Sequence, residues 1–134
     1  MTDADDQFAV RNLLARIVYE GDEGDLDMYL TLFDEDAVWS MPGVEHRGIA
    51  AVRQGVEQRR ADGLTGPGSG KRHVLTTIEV GVDVDDATAR STWLLVGGEG
   101  LQPALLRYGT YHDRLRRTDR GWVLAERTIR FGAA

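Results

Sequence analysis

The apolar pattern of this 134-residue chain changes period once, near its middle, and no other feature constrains the fold as much. A helix buries a stripe that repeats every 3.6 residues and a half-buried strand buries every second residue, so the two halves require different structures. Val10, Leu13, Leu14, Ile17 and Val18 mark a first helix from about Asp3 to Glu20. Thr2 or Asp3 is its N-cap, and Asp3, Asp5 and Asp6 sit in or beside the first turn, where acids are favoured. Gly21 and Gly24 break this helix. Asp25 reads as the cap of a second, spaced on Leu26, Tyr29, Leu30 and Phe33 and closed by Asp34-Glu35-Asp36. A short strand, Ala37 to Met41, ends at Pro42-Gly43, and a loop carrying His46 leads to a third helix from Gly48 to about Asp62.

Gly63 to Gly70 has no periodicity and reads as a flexible loop. Beyond it, Arg72–Asp83, Ala87–Val96, Leu105–Arg117 and Trp122–Phe131 alternate as long strands. Val84-Asp85-Asp86 and Thr118-Asp119-Arg120-Gly121 fit short hairpins, and Gly97 to Gly100 opens a longer connection ending near Pro103. The expected class is a single α+β domain, residues 1–134, with three N-terminal helices packed on a curved antiparallel sheet that can enclose a pocket.

Charge and composition narrow the function. Twenty-two acids against sixteen bases give a formal charge of −6, which opposes the phosphate attraction behind nucleic-acid binding. With no cysteine there is no disulfide or thiolate chemistry, and zinc loses its commonest ligand pattern. The expectation is no metal and no cofactor. The first residues are acidic where a signal peptide is basic, and no apolar run reaches the length of a membrane span, so a cytoplasmic protein without membrane contact is expected.

One acid stands out. Four residues beyond Val18, the inward stripe of the first helix lands on Asp22, a carboxylate at the negative end of a helix dipole. Folding alone gives little reason for it, although a hinge acid or a second cap is the plain alternative.

Tyr-x-x-Asp at Tyr19–Asp22, Phe-Asp-Glu-Asp-Ala-Val-Trp at 33–39, Arg72-His73, Tyr-His-Asp-Arg-Leu at 111–115 and Gly-Trp-Val-Leu at 121–124 together resemble the SnoaL-like branch of the nuclear transport factor 2 superfamily. The resemblance spans nearly the whole chain. It implies a cone-shaped α+β barrel with a pocket at its wide end, and it fixes no single reaction. In the scytalone dehydratase and hexachlorocyclohexane dehydrochlorinase members, a histidine opening the strand after helix three is general base and an aspartate ending helix one orients it. His73 and Asp22 occupy those places, Arg127 matches a last-strand arginine at the developing anion, and Tyr19 is a candidate hydrogen-bond donor to a substrate carbonyl. Ile17 replaces the lysine of the dehydrochlorinase, so dehalogenation is not implied.

Each assignment has a structural rival. His73 also suits a strand-opening rim position, Arg127 also suits a partner of Glu126 or Asp22, and Tyr19 also suits hinge packing. His112 reads as a surface or cross-strand residue, and Arg114, Arg116, Arg117 and Arg120 as a solvated hairpin tip. Two functions follow. The first is a cofactor-independent lyase or isomerase acting through an Asp22–His73 dyad on a small apolar, polyketide-like or steroid-like molecule. The second is a non-catalytic binding or assembly domain of the same fold. Epoxide hydrolysis needs an Asp-Arg-Asp arrangement on strands, and His73 at the key position argues against it. A homodimer or higher homo-oligomer is expected, with Thr76, Ile78, Val80 and Val82 as an apolar stripe for the contact.

Overall fold

A computed structural model describes residues 2–132. The first helix, α1 (Asp3–Glu23), starts at a reciprocal capping box: Thr2 Oγ1 accepts from the Asp5 amide at 3.2 Å and the Thr2 amide donates to Asp5 Oδ2 at 3.1 Å. It ends three residues later than its glycines suggest. Gly21 lies within the helix, where its missing side chain lets the Tyr29 ring pack close, and Gly24 caps the end with extended backbone. Asp25 caps α2 (Leu26–Leu30), as its spacing predicts.

Phe33 corrects the boundary that follows. Its spacing from Tyr29 is helical, yet it opens strand β1 (Phe33–Met41), because Leu32 and Phe33 engage Leu124 of the last strand. Sheet pairing outweighs local periodicity here. Pro42-Gly43 turns β1 into β2 (Val44–Arg47), so His46 stands on a strand and not in a loop. Helix α3 (Ile49–Ala61) then leads through 62–71, which holds no helix or strand. Four long strands complete the chain: β3 (Arg72–Asp83), β4 (Asp86–Glu99), β5 (Gln102–Thr118) and β6 (Gly121–Phe131). The connection expected between Gly97 and Pro103 is instead a tight turn at Gly100-Leu101, because a register shift after Leu95 and a positive φ at Gly98 carry both strands past the glycines.

The sheet order is β2-β1-β6-β5-β4-β3. It is open at both ends and antiparallel, except that β1 and β6 run parallel. The three helices supply Val10, Leu13, Leu14, Ile17, Tyr29, Leu30, Val52 and Val56 to a core shared with inward residues of the strands. This is the α+β arrangement the change of period demands.

Two bulges decide which strand residues face that core. In β6 the register slips between Leu115↔Leu124 and Arg114↔Glu126, so Trp122 and Leu124 join Ile129 in the cluster under the helices, while Val123 and Ala125 are buried outside it. In β3 the slip lies between Thr76 and Glu79, with Thr77 at φ 52°. Beyond it, Ile78, Val80 and Val82 are partly buried against the core, while Thr76, before the slip, is exposed, so most of the stripe expected to serve a dimer contact packs within one chain.

Candidate active site

The inward residues of the open sheet and the ends of α1 and α3 surround a cavity of about 420 Å³. Its walls are mostly apolar: Ile17, Trp39, Met41, Val56, Trp93, Leu95, Leu106, Ile129 and Phe131. Gly109 is required there, because the Trp93 ring lies directly over it and a Cβ would also meet the Arg130 carbonyl.

Asp22 and His73 meet at this cavity. The His73 backbone amide donates to Asp22 Oδ2 at 2.7 Å, and Nδ1 lies 2.6 Å from Oδ1. The Asp22 side chain is 3% exposed and that of His73 20%. Each carboxylate oxygen therefore has one partner from the same residue, which fixes the imidazole in position and orientation. A carboxylate at Nδ1 selects the tautomer with its proton on that nitrogen. Nε2 has no protein partner among the described residues.

Helix α1 holds its acid with help that the sequence patterns do not reveal. Arg60, from α3, donates to the carbonyls of Glu20 and Gly21 at 3.2 Å each and of Gly24 at 3.0 Å. A cation thus caps the negative end of α1 beside Asp22.

Arg127 reaches the cavity wall, but it pairs with neither Glu126 nor Asp22. Its Nε and Nη2 each lie 2.8 Å from the carboxylate of Asp113, directly opposite on β5, and its guanidinium lies 3.8 Å from the Tyr111 ring centroid. Both side chains are buried. Burial by itself disfavours the charge on Arg127, but the charge and hydrogen bonds of Asp113 outweigh this and raise its pKa above the ordinary arginine value. Asp113 lay in plain view in the alternation of Tyr111, Asp113 and Leu115; the register that pairs it with Arg127 did not.

Tyr19 lies outside the cavity and is 60% exposed. It follows Val10 by nine residues, and at about 100° per residue that places it on the opposite side of the helix from the centre of the inward stripe. Two tyrosines that sequence reasoning passed over, Tyr29 and Tyr111, line the cavity instead, and neither hydroxyl has a hydrogen-bond partner among the described residues. Burial raises the pKa of both phenols, so they stay protonated donors at neutral pH. His112 is exposed on β5. His46 lies beside Gly55 of α3, away from the cavity lining. No cluster of three metal-ligating side chains occurs among the described residues.

A SnoaL-like domain with a histidine–aspartate pair at its pocket is what these features define. The SnoaL-like family matches residues 2–128, and the chain belongs to it. A Nostoc punctiforme protein of unknown function with a cystatin-like fold is similar in structure, at 25% identity and a TM-score of 0.83, covering 100% of this chain and 96% of its own. A nuclear transport factor 2-like protein with a cystatin-like fold from Novosphingobium aromaticivorans is 26% identical, with a TM-score of 0.82 over 98% of this chain and 86% of its own. A candidate scytalone dehydratase from the same organism, 23% identical with a TM-score of 0.72, covers 99% of this chain and 89% of its own and shares the fold. No functionally curated protein matches the chain. No helix among the described residues is long and apolar enough to cross a membrane.

Proposed function

We propose that the chain is a cofactor-independent lyase or isomerase of the dehydratase type, with His73 as general base and Asp22 as its positioning partner. The observation that carries this reading is the 2.6 Å contact between His73 Nδ1 and Asp22 at the wall of a largely apolar cavity. Nε2 takes a proton from carbon next to an electron-withdrawing group, and Asp22 stabilises the imidazolium that results. The electron pair moves onto a carbonyl oxygen, where the neutral phenols of Tyr29 and Tyr111 are placed to donate. For elimination, the same imidazolium returns its proton to the departing hydroxyl. Arg127 is a wall residue in this scheme, since Asp113 already occupies its Nε and one terminal nitrogen.

The test is solvent deuterium incorporation into a panel of cyclic and aromatic β-hydroxy ketones, read by mass spectrometry. His73→Ala should abolish exchange and Asp22→Asn should reduce it about 10²–10⁴-fold, the range of a general-base contribution. Exchange that persists in His73→Ala would remove His73 as the base, and no exchange in wild type would move the reading to the non-catalytic binding domain, which the apolar walls also suit.

A further inference from the structure

Asp22 is the one carboxylate on the cavity lining among the described residues, and His73 occupies both its oxygens. Against it stand Arg59, Lys71, Arg107 and Arg127, an excess of cations in a chain of net charge −6. Three of the four are accounted for. Arg127 is neutralised by Asp113, Lys71 donates to the Gly63 carbonyl at 3.3 Å, and Arg107 is exposed over the Phe131 ring at the rim.

Arg59 is the exception. It projects from the last turn of α3, and its guanidinium carbon lies 5.2 Å from the Trp39 ring centroid. It is partly buried, yet its guanidinium makes no hydrogen bond and no ion pair among the described residues. Gly55, one turn earlier, is the surface it runs along: a Cβ there would sit 3.2 Å from Arg59 Nη1 and 2.7 Å from His46 Nε2. The guanidinium is thus held between an indole face and a bare stretch of helix, with its donors unspent. Desolvation depresses its pKa. An arginine held in this way wants an anion that the protein does not supply.

We infer that the cavity takes an aromatic or alicyclic substrate bearing a carboxylate, and that Arg59 binds this carboxylate. The inference rests on the base-catalysed reading above and deepens it by naming the substrate class. Guanidinium matches carboxylate with two parallel N–H···O bonds, and the apolar walls take the ring. Trp39 holds the guanidinium by its face, so the ion pair forms without first ordering a mobile side chain.

The test uses 2-naphthoate and its uncharged isostere 2-naphthamide as calorimetric probes of the intact protein. Wild type should bind the acid at least about tenfold more tightly than the amide, the worth of one charge-assisted pair. Arg59→Met, which keeps most of the stem, should erase this preference while retaining amide binding, and Arg59→Lys should keep part of it. Lys71→Met and Arg107→Met should leave it in place. Equal affinity for acid and amide in wild type, or no binding of either, overturns the assignment, as does a preference that survives Arg59→Met. His73→Ala should keep the acid preference. Loss of the preference beside intact deuterium exchange sinks the anion site alone, and the converse sinks the general base alone.

Discussion

Replacing Asp113 by Asn should be among the most damaging single changes in this chain. The substitution is nearly isosteric, but it leaves the Arg127 guanidinium charged, buried and without a counter-ion. Because the native pair raises the pKa of Arg127, and a lone arginine titrates far above neutrality, deprotonation offers no escape at any pH where the protein is handled. Breaking a buried pair from one side costs about 3–5 kcal/mol. For 134 residues, an unfolding entropy of about 2.1 cal/mol/K per residue gives roughly 0.28 kcal/mol/K. The expected fall in Tm is therefore about 11–18 °C. Differential scanning calorimetry at pH 7 measures it. The double variant Asp113→Leu/Arg127→Met, which removes both charges, should recover most of the loss. A fall of under about 4 °C in Asp113→Asn, or a double variant no better than the single one, would refute the claim that this pair is closed and desolvated.

Asp6 on α1 accepts from Arg117 Nη2 at 2.8 Å, and this bond holds its carboxyl below the usual aspartate value. A depressed folded-state pKa adds stability that is present above the unfolded value near 3.8 and is lost as pH falls through the folded one. Asp6→Asn should accordingly lower Tm at pH 7, and the gap to wild type should close as the pH drops below about 3.8 in a series of thermal melts. The segment from Gly63 to Gly70 should exchange its amides fastest of all internal segments, and slow exchange there would contradict its reading as a loop. We propose that the chain forms a homodimer through the outer sheet face at Val74, Leu94 and Tyr108, aligned across β3, β4 and β5 with Val74 and Tyr108 43% and 44% exposed. Sedimentation should give twice the 14.8 kDa chain mass and Tyr108→Asp should halve it; a monomer alone at high concentration counts against the proposal.

What could be read from the sequence was whatever periodicity or capping encodes locally. The stripe of α1 placed Val10 through Ile17 in the core and aimed Asp22 inward, and the position of His73 at the head of β3 put it within reach. Contacts set by register were hidden. Whether Asp113 faces Arg127 depends on a bulge at Ala125, and a bulge has no strong local signal when the residues around it are all apolar or β-branched. The arginines at the end of β5 show the same limit. Arg117 is not a solvated tip residue: it joins Asp6, Asp85, the Val84 carbonyl and the Trp122 face, and it ties down a turn in which Val84 takes φ 56°, rare for a β-branched residue. Three of those four partners, Asp6, Val84 and Asp85, are distant in sequence from Arg117, so no window of local pattern could assemble them.

The placement of Asp22 joins fold and chemistry. A carboxylate in the last turn of a helix opposes the macrodipole, and burial adds a larger cost. In this protein His73 offsets the burial and α3 the dipole, and two adjacent residues of α3 divide their tasks. Arg60 turns back onto the carbonyls of Glu20, Gly21 and Gly24, which blunts the negative end of α1, while Arg59 turns toward the cavity and Trp39. Neighbouring helical residues diverge by about 100°, so one turn of α3 serves the support of the base and the proposed grip on the substrate without either cation competing for Asp22. The acid is left to His73, whose amide and imidazole satisfy both its oxygens.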